Sequence, residues 1–129
     1  MILGIGVDLC PVDRLERILG RHGDLFTERV FTPAERAYAG DGVNAAERLA
    51  ARFAAKEAVI KAMGGSPSGL RWQDMEVMRG EGGAPSMKLK GAAKKRAEEM
   101  GVDRIWISLT HAGGSAAAMV VFEGGSRVG

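Results

Sequence analysis

At 129 residues, with 46% apolar and 26% charged positions, the chain is long enough to bury one core and too ordinary in composition for a disordered or fibrous class. Eighteen basic and sixteen acidic side chains leave a net charge of +2, too mild for a dedicated nucleic-acid binder, so an anionic partner must be met by a local patch. The one cysteine, Cys10, excludes an internal disulfide and suits a reducing cytoplasm, while the lack of a long apolar run or a basic leader argues against a membrane span or signal peptide.

Residues 1–7 (MILGIGV) are apolar and β-branched, with Gly4 and Gly6 on one side of the predicted strand. Glycines so placed allow another backbone or a ligand to come close. Asp8 then falls at the strand's end, either as a carboxylate facing a cleft or as the cap of the helix that follows Pro11. In residues 12–20, Val12, Leu15, Ile18 and Leu19 share a face. Arg14, Arg17 and Arg21 line another, within about 60° of each other on the wheel, which could be a solvated face or a dock for an acidic helix. Thr32-Pro33-Ala34-Glu35 is a helix start, a capping box with proline at the first helical position, and Gly40 is its stop.

The chain is organised around residues 48–64 (RLAARFAAKEAVIKAMG). Nothing there breaks a helix before Gly64, and Asn44 with Glu47 resembles an N-terminal cap with its reciprocal acid. Leu49, Phe53, Ile60 and Met63 form one stripe, yet alanines cover the opposite side, as in a helix buried with other backbones close by. This nearly apolar rod still carries Arg48, Arg52, Lys56, Glu57 and Lys61. Buried charges are costly unless they are paired or bind something. A structural Glu57–Lys61 salt bridge is the plain reading; a carboxylate set among cations to hold Mg²⁺ against phosphates is the sharper one.

Residues 65–69 (GSPSG) are a loop. Residues 74–79 and 86–90 alternate as the two arms of a hairpin about the turn at 80–85. Residues 91–100 read as a short amphipathic helix ending at Gly101, and residues 104–110 and 116–123 as strands, with His111 in the turn between them. Antiparallel hairpins with grouped helices predict an α+β domain: a small antiparallel sheet packed with a long central helix and shorter helices. One domain is expected over residues 1–123, with a loose tail at 124–129.

Several ordered pieces then resemble one family, the bacterial holo-acyl carrier protein synthases, which are small 4′-phosphopantetheinyl transferases. They are Gly4-Ile5-Gly6-Val7-Asp8-Leu9, then Phe31-Thr32 with Glu35, and Arg52-Phe53-Ala54-Ala55-Lys56-Glu57-Ala58 with Lys61-Ala62 and Gly64. Trp72 with Glu76-Val77 and Leu109-Thr110-His111 before the alanine-rich last strand complete the set. The resemblance covers almost the whole chain. It implies transfer of the phosphopantetheine arm of coenzyme A to a serine of apo-acyl carrier protein, a step of fatty-acid and lipid biosynthesis, releasing adenosine 3′,5′-bisphosphate. By the same resemblance Asp8 and Glu57 match Mg²⁺ ligands, and Lys61 matches a lysine at the pyrophosphate. Arg52, Lys56, Lys61, Gly64 and His111 match coenzyme-site positions, and Arg14, Arg17 and Arg21 lie where the acidic carrier docks. By the same resemblance members are typically homotrimers with the coenzyme between protomers, so a homotrimer is expected here. The turn at Gly82-Gly83-Ala84-Pro85 departs from the family pattern by lacking a basic residue, and Ala112-Gly113-Gly114 removes polar neighbours from His111. Two other classes remain: a nucleotide pyrophosphate hydrolase using the same metal and lysine, and a non-catalytic module binding an acidic partner through the arginine row.

Overall fold

In the computed structural model, which describes residues 1–79 and 81–125, glycines decide how the main helix and sheet meet. Strand β1 (Ile2–Pro11) leads into helices α1 (Val12–His22), α2 (Asp24–Val30), α3 (Pro33–Ala39) and α4 (Ala45–Ala62). A 3-10 turn at Trp72–Asp74 precedes strands β2 (Met75–Arg79) and β3 (Pro85–Leu89), helix α5 (Gly91–Met100), and strands β4 (Val102–Ala112) and β5 (Ser115–Gly124). The strands form two antiparallel sheets, one ordered β1-β5-β4 and the other the β2-β3 hairpin. This is the expected α+β architecture.

Helix α4 lies across β1 and β5 on its alanine side. Ala50, Ala54, Ala55 and Ala58 are fully buried, whereas Phe53 and Ile60 of the bulkier stripe are only partly so. A Cβ added to Gly4 would collide with the Ala62 carbonyl oxygen, and one added to Gly6 with that of Ala58. Small residues on both elements therefore set the helix–sheet spacing. Arg96 closes the far end of α4 by donating to the Met63 carbonyl. No helix among the described residues is long and apolar enough to cross a membrane.

Several local expectations change. β1 runs on to Pro11, so Asp8 sits inside the strand opposite Ala118, and the N-cap of α1 is Pro11, with no side-chain cap bond. Asn44 makes no side-chain cap bond to α4. The capping box at Thr32 and Glu35 forms as read. Helix α2 has no counterpart in the sequence reading. His111 lies within β4 opposite Ala116, and the turn is made by Gly113 and Gly114, both at positive φ. Of the expected tail, Gly124 closes β5, and residues 126–129 lie outside the described residues, as does Gly80 of the hairpin turn.

Candidate active site

Along β1, side chains alternate, so Gly4, Gly6, Asp8 and Cys10 face α4 while Ile5, Val7 and Leu9 face away. Opposite Asp8, α4 presents Glu57 and, one turn later, Lys61. The Lys61 ammonium donates to Asp8 Oδ1 at 2.9 Å and to the Val7 carbonyl at 3.0 Å. Lys61 thus bridges helix to strand instead of closing the Glu57–Lys61 pair that helical spacing alone would favour. The Glu57 carboxylate has no hydrogen bond among the described residues. Burial, and then the nearby negative charge of Asp8, push its carboxyl above the ordinary carboxylate range, against the pull of Lys61 and Arg14. The Cys10 thiol is raised by burial first, with Arg14 lowering it and Asp8 and Glu57 raising it. Asp8, Glu57, Lys61 and Arg14 therefore share one electrostatic neighbourhood, built by β1, α4 and α1.

Among the described residues no group of three or more His, Cys, Asp or Glu could hold a metal ion. Mg²⁺ does not need one: it commonly takes one or two carboxylates and fills its shell with water and phosphate oxygens. Hard oxygen donors, two like charges opposed across a helix–strand gap and a lysine already drawn to Asp8 fit a magnesium–phosphate centre better than a zinc site. Gly64, just past α4, is exposed at φ +81°, a conformation open to glycine that leaves its backbone accessible beside this centre's helix.

Lys56 goes elsewhere. Its ammonium is fully buried 2.8 Å from Glu35 Oε1, and it donates to the carbonyls of Met75 at 2.5 Å and Trp72 at 3.2 Å. Glu35 in turn accepts from the backbone of Thr32 at 2.9 Å and of Val77 at 2.8 Å. This lysine ties α4 to α3 and β2, and its ammonium is taken up by internal partners. The sequence showed Lys56 within an apolar stripe, but its partner lies 21 positions away and carries the separate signal of a capping box.

A second cationic region lies on the other edge of the sheet. Arg52 stands about 140° from Glu57 and about 180° from Lys61 around α4. A cavity of about 400 Å³ opens there, lined among others by Tyr38, Glu47, Arg48, Arg52, Arg79 and His111. His111 Nδ1 is 3.4 Å from Glu47 Oε2, which gives His111 the polar neighbour its own turn lacks. The Arg52 side chain is almost wholly buried, and its Nε has no hydrogen-bond partner. The structure thus brings Asp8, Glu57 and Lys61 together and sets Arg52 with His111 in a different place on the same chain. Tyr38 and Arg79 escaped the sequence reading, because they approach from α3 and β2 and share no periodic pattern with α4.

On α1, Arg14, Arg17 and Arg21 are exposed and border a shallow cavity with Ile18 and His22. Arg17 lies 3.7 Å from Asp13, an exposed pair of small energetic weight. Arg14 is the member of the row that also bears on Glu57, so the row runs toward the carboxylates.

Residues 4–120 match the model of a family described as the 4′-phosphopantetheinyl transferase superfamily. A holo-[acyl-carrier-protein] synthase of Anaeromyxobacter dehalogenans is 51% identical over 127 residues, covering 96% of this chain and 98% of its own. One from Solibacter usitatus is 48% identical over 124 residues, covering 95% and 99%. Among solved structures, the holo-[acyl-carrier-protein] synthase of Neisseria meningitidis superposes with a TM-score of 0.86 at 32% identity, covering 95% of this chain and 99% of the other. The Helicobacter pylori protein, solved in complex with coenzyme A, gives 0.81 at 28% identity, covering 92% and 99%.

Proposed function

The chain belongs to the 4′-phosphopantetheinyl transferase superfamily, among its holo-acyl-carrier-protein synthases, and on that premise we propose that it moves the phosphopantetheine arm of coenzyme A onto a serine of apo-acyl carrier protein at Asp8, Glu57 and Lys61. The observation that carries this reading is the convergence of two carboxylates and a lysine from β1 and α4. The serine oxygen forms a bond to the β-phosphorus, and the bond from that phosphorus to the departing oxygen breaks, releasing adenosine 3′,5′-bisphosphate. Phosphoryl transfer asks a protein mainly for positioning and charge neutralisation. Asp8 and Glu57 would hold Mg²⁺, which when bound supplies positive charge to the diphosphate oxygens. Glu57, whose oxygens have no hydrogen bond to lose, takes the hydroxyl proton directly or through a water. The Lys61 ammonium, half exposed beyond its bonds to Asp8 and the Val7 carbonyl, is available to the negative charge on the departing phosphate.

Arg52 and His111 serve the coenzyme from a neighbouring protomer in this reading. One chain alone separates them from the carboxylates, so a site between chains accommodates both sets. An outer sheet face that exposes Ile5, Val7, Leu9, Trp106 and Met119 supports such an assembly, a homotrimer, because apolar patches of this kind mark interaction surfaces. The arginine row of α1 orients the acidic carrier. A reducing cytoplasm fits the free, buried Cys10 and this substrate pair.

The test is incubation of the protein with coenzyme A, Mg²⁺ and apo-carrier protein, read by intact mass. The carrier gains one phosphopantetheine, and coenzyme A with Mg²⁺ alone stays intact. Release of the bisphosphate without carrier would identify a pyrophosphate hydrolase instead. Absence of both products, with binding of an acidic partner, would leave only a docking module.

A further inference from the structure

Tyr38 is 45% exposed although it is the only tyrosine of the chain and sits on a seven-residue helix whose core contacts are made by Glu35 and Ala39. Packing does not explain it. Three guanidinium groups surround its ring: Arg52 at 4.2 Å from the centroid, Arg79 at 5.5 Å and Arg48 at 5.7 Å. They come from two elements, α4 and β2, and all four residues line the cavity that also holds His111. Glu47 is the one carboxylate of that lining, and it already faces His111. Like charges gathered this closely repel one another: burial first, and then Arg79, work against the charge on Arg52, while Tyr38 and, less, Glu35 favour it. An aromatic face attracts guanidinium groups and also restricts their planes. Arg79 is further held by its bond to the Gly83 carbonyl across the hairpin turn.

We infer that Tyr38 is a positioning residue for coenzyme binding: its ring gathers Arg48, Arg52 and Arg79 into a preformed cradle for a phosphate of the coenzyme. This rests on the reading that the Arg52–His111 cavity takes part of that substrate. Arg79 becomes a binding residue as well, and it supplies from β2 the cation that the glycine-rich turn lacks. A cradle assembled before the ligand arrives loses less conformational freedom on binding. Its contribution should therefore appear in affinity, with the chemistry at Asp8 and Glu57 untouched.

The experiment compares Tyr38→Leu, Tyr38→Phe and Arg52→Gln by steady-state carrier labelling and by calorimetric titration with coenzyme A. Tyr38→Leu should raise KM and Kd for coenzyme A by about tenfold, the order of one desolvated cation–π contact, with kcat, KM for carrier and melting temperature unchanged. Tyr38→Phe keeps the ring and should restore wild-type values to within about twofold. If Arg52→Gln weakens coenzyme binding and Tyr38→Leu does not, the positioning role is overturned while the cavity's assignment stands. If neither variant changes it, the cavity does not take the coenzyme and both readings fall. Equal damage from Leu and Phe, or a lowered melting temperature in Tyr38→Leu, overturns the ring's role in favour of the hydroxyl or of plain structure.

Discussion

Removing one partner of the Lys56–Glu35 pair should damage stability more than any other single charge change in the chain. Both side chains are fully buried, and every polar contact of the Lys56 ammonium is internal: Glu35 and the carbonyls of Trp72 and Met75. Breaking a buried ion pair from one side costs about 3–5 kcal/mol, because the remaining charge stays buried without compensation. Glu35→Gln also weakens the acceptor for the Thr32 and Val77 amides, so a loss of about 3 kcal/mol or more is expected. Lys56→Met leaves the Glu35 carboxylate its two amide donors, and about 3 kcal/mol is again expected. The double variant removes both charges and should cost much less than the sum, giving a coupling of about 2 kcal/mol. Urea unfolding at one fixed protein concentration, followed by tryptophan fluorescence, to which Trp72 packed against Phe53 contributes, measures all three. Burial holds the Lys56 ammonium below its ordinary range. Between that lowered value and the ordinary lysine range the unfolded chain binds more protons, so this group's contribution rises with pH there; Lys56→Met should remove that alkaline rise. Coenzyme KM should not change in Lys56→Met, since its amine faces inward. Single variants that each cost under about 1 kcal/mol and simply add would refute the argument.

Gly6→Ala places a methyl group on the Ala58 carbonyl, and α4 must move off β1; a loss of about 1–3 kcal/mol in the same unfolding assay is expected, with a fall in kcat because Lys61 and Asp8 separate. Arg17→Glu with Arg21→Glu should raise KM for carrier by about tenfold or more, the effect growing as salt falls, with Kd for coenzyme A, read by calorimetry, unchanged. Mixing Glu57→Gln chains with Arg52→Gln chains after dissociation should restore a fraction of labelling activity if each site draws on two protomers, and none if each chain is self-sufficient.

The sequence made local features legible wherever one segment carried its own instruction. Thr32, Pro33 and Glu35 specify the start of α3 without help, the alternation on either side of residues 80–85 specifies the hairpin, and two glycines in β1 announced a close backbone that proved to be α4. Asp8, Glu57 and Lys61 were legible as candidates because charge on an alanine-coated helix demands a partner. Their meeting depends on a helix–strand spacing that no single segment encodes. The placement of Lys56 depends on packing in the same way. A charge in an apolar stripe announces an unusual partner, but whether that partner is a ligand or Glu35 depends on where α3 packs. Helix α2, at seven residues, is too short for periodicity to stand out, and it is placed by α1 and by the Trp72 turn, whose Gln73 donates to the Glu28 carbonyl and to that of the capping Phe31. The Tyr38 cluster is wholly tertiary, since its arginines come from positions 48, 52 and 79.

The most direct measurement is the single-turnover rate of apo-carrier labelling by Glu57→Gln, with coenzyme A bound to saturation and Mg²⁺ titrated. The substitution keeps the shape of the side chain and removes its charge, so fold and coenzyme affinity should hold. The labelling rate should fall by about 100-fold or more, with a weakened dependence on Mg²⁺. A variant that labels its carrier at the wild-type rate, with the wild-type Mg²⁺ dependence, would mean that the chemistry takes place away from Asp8 and Glu57.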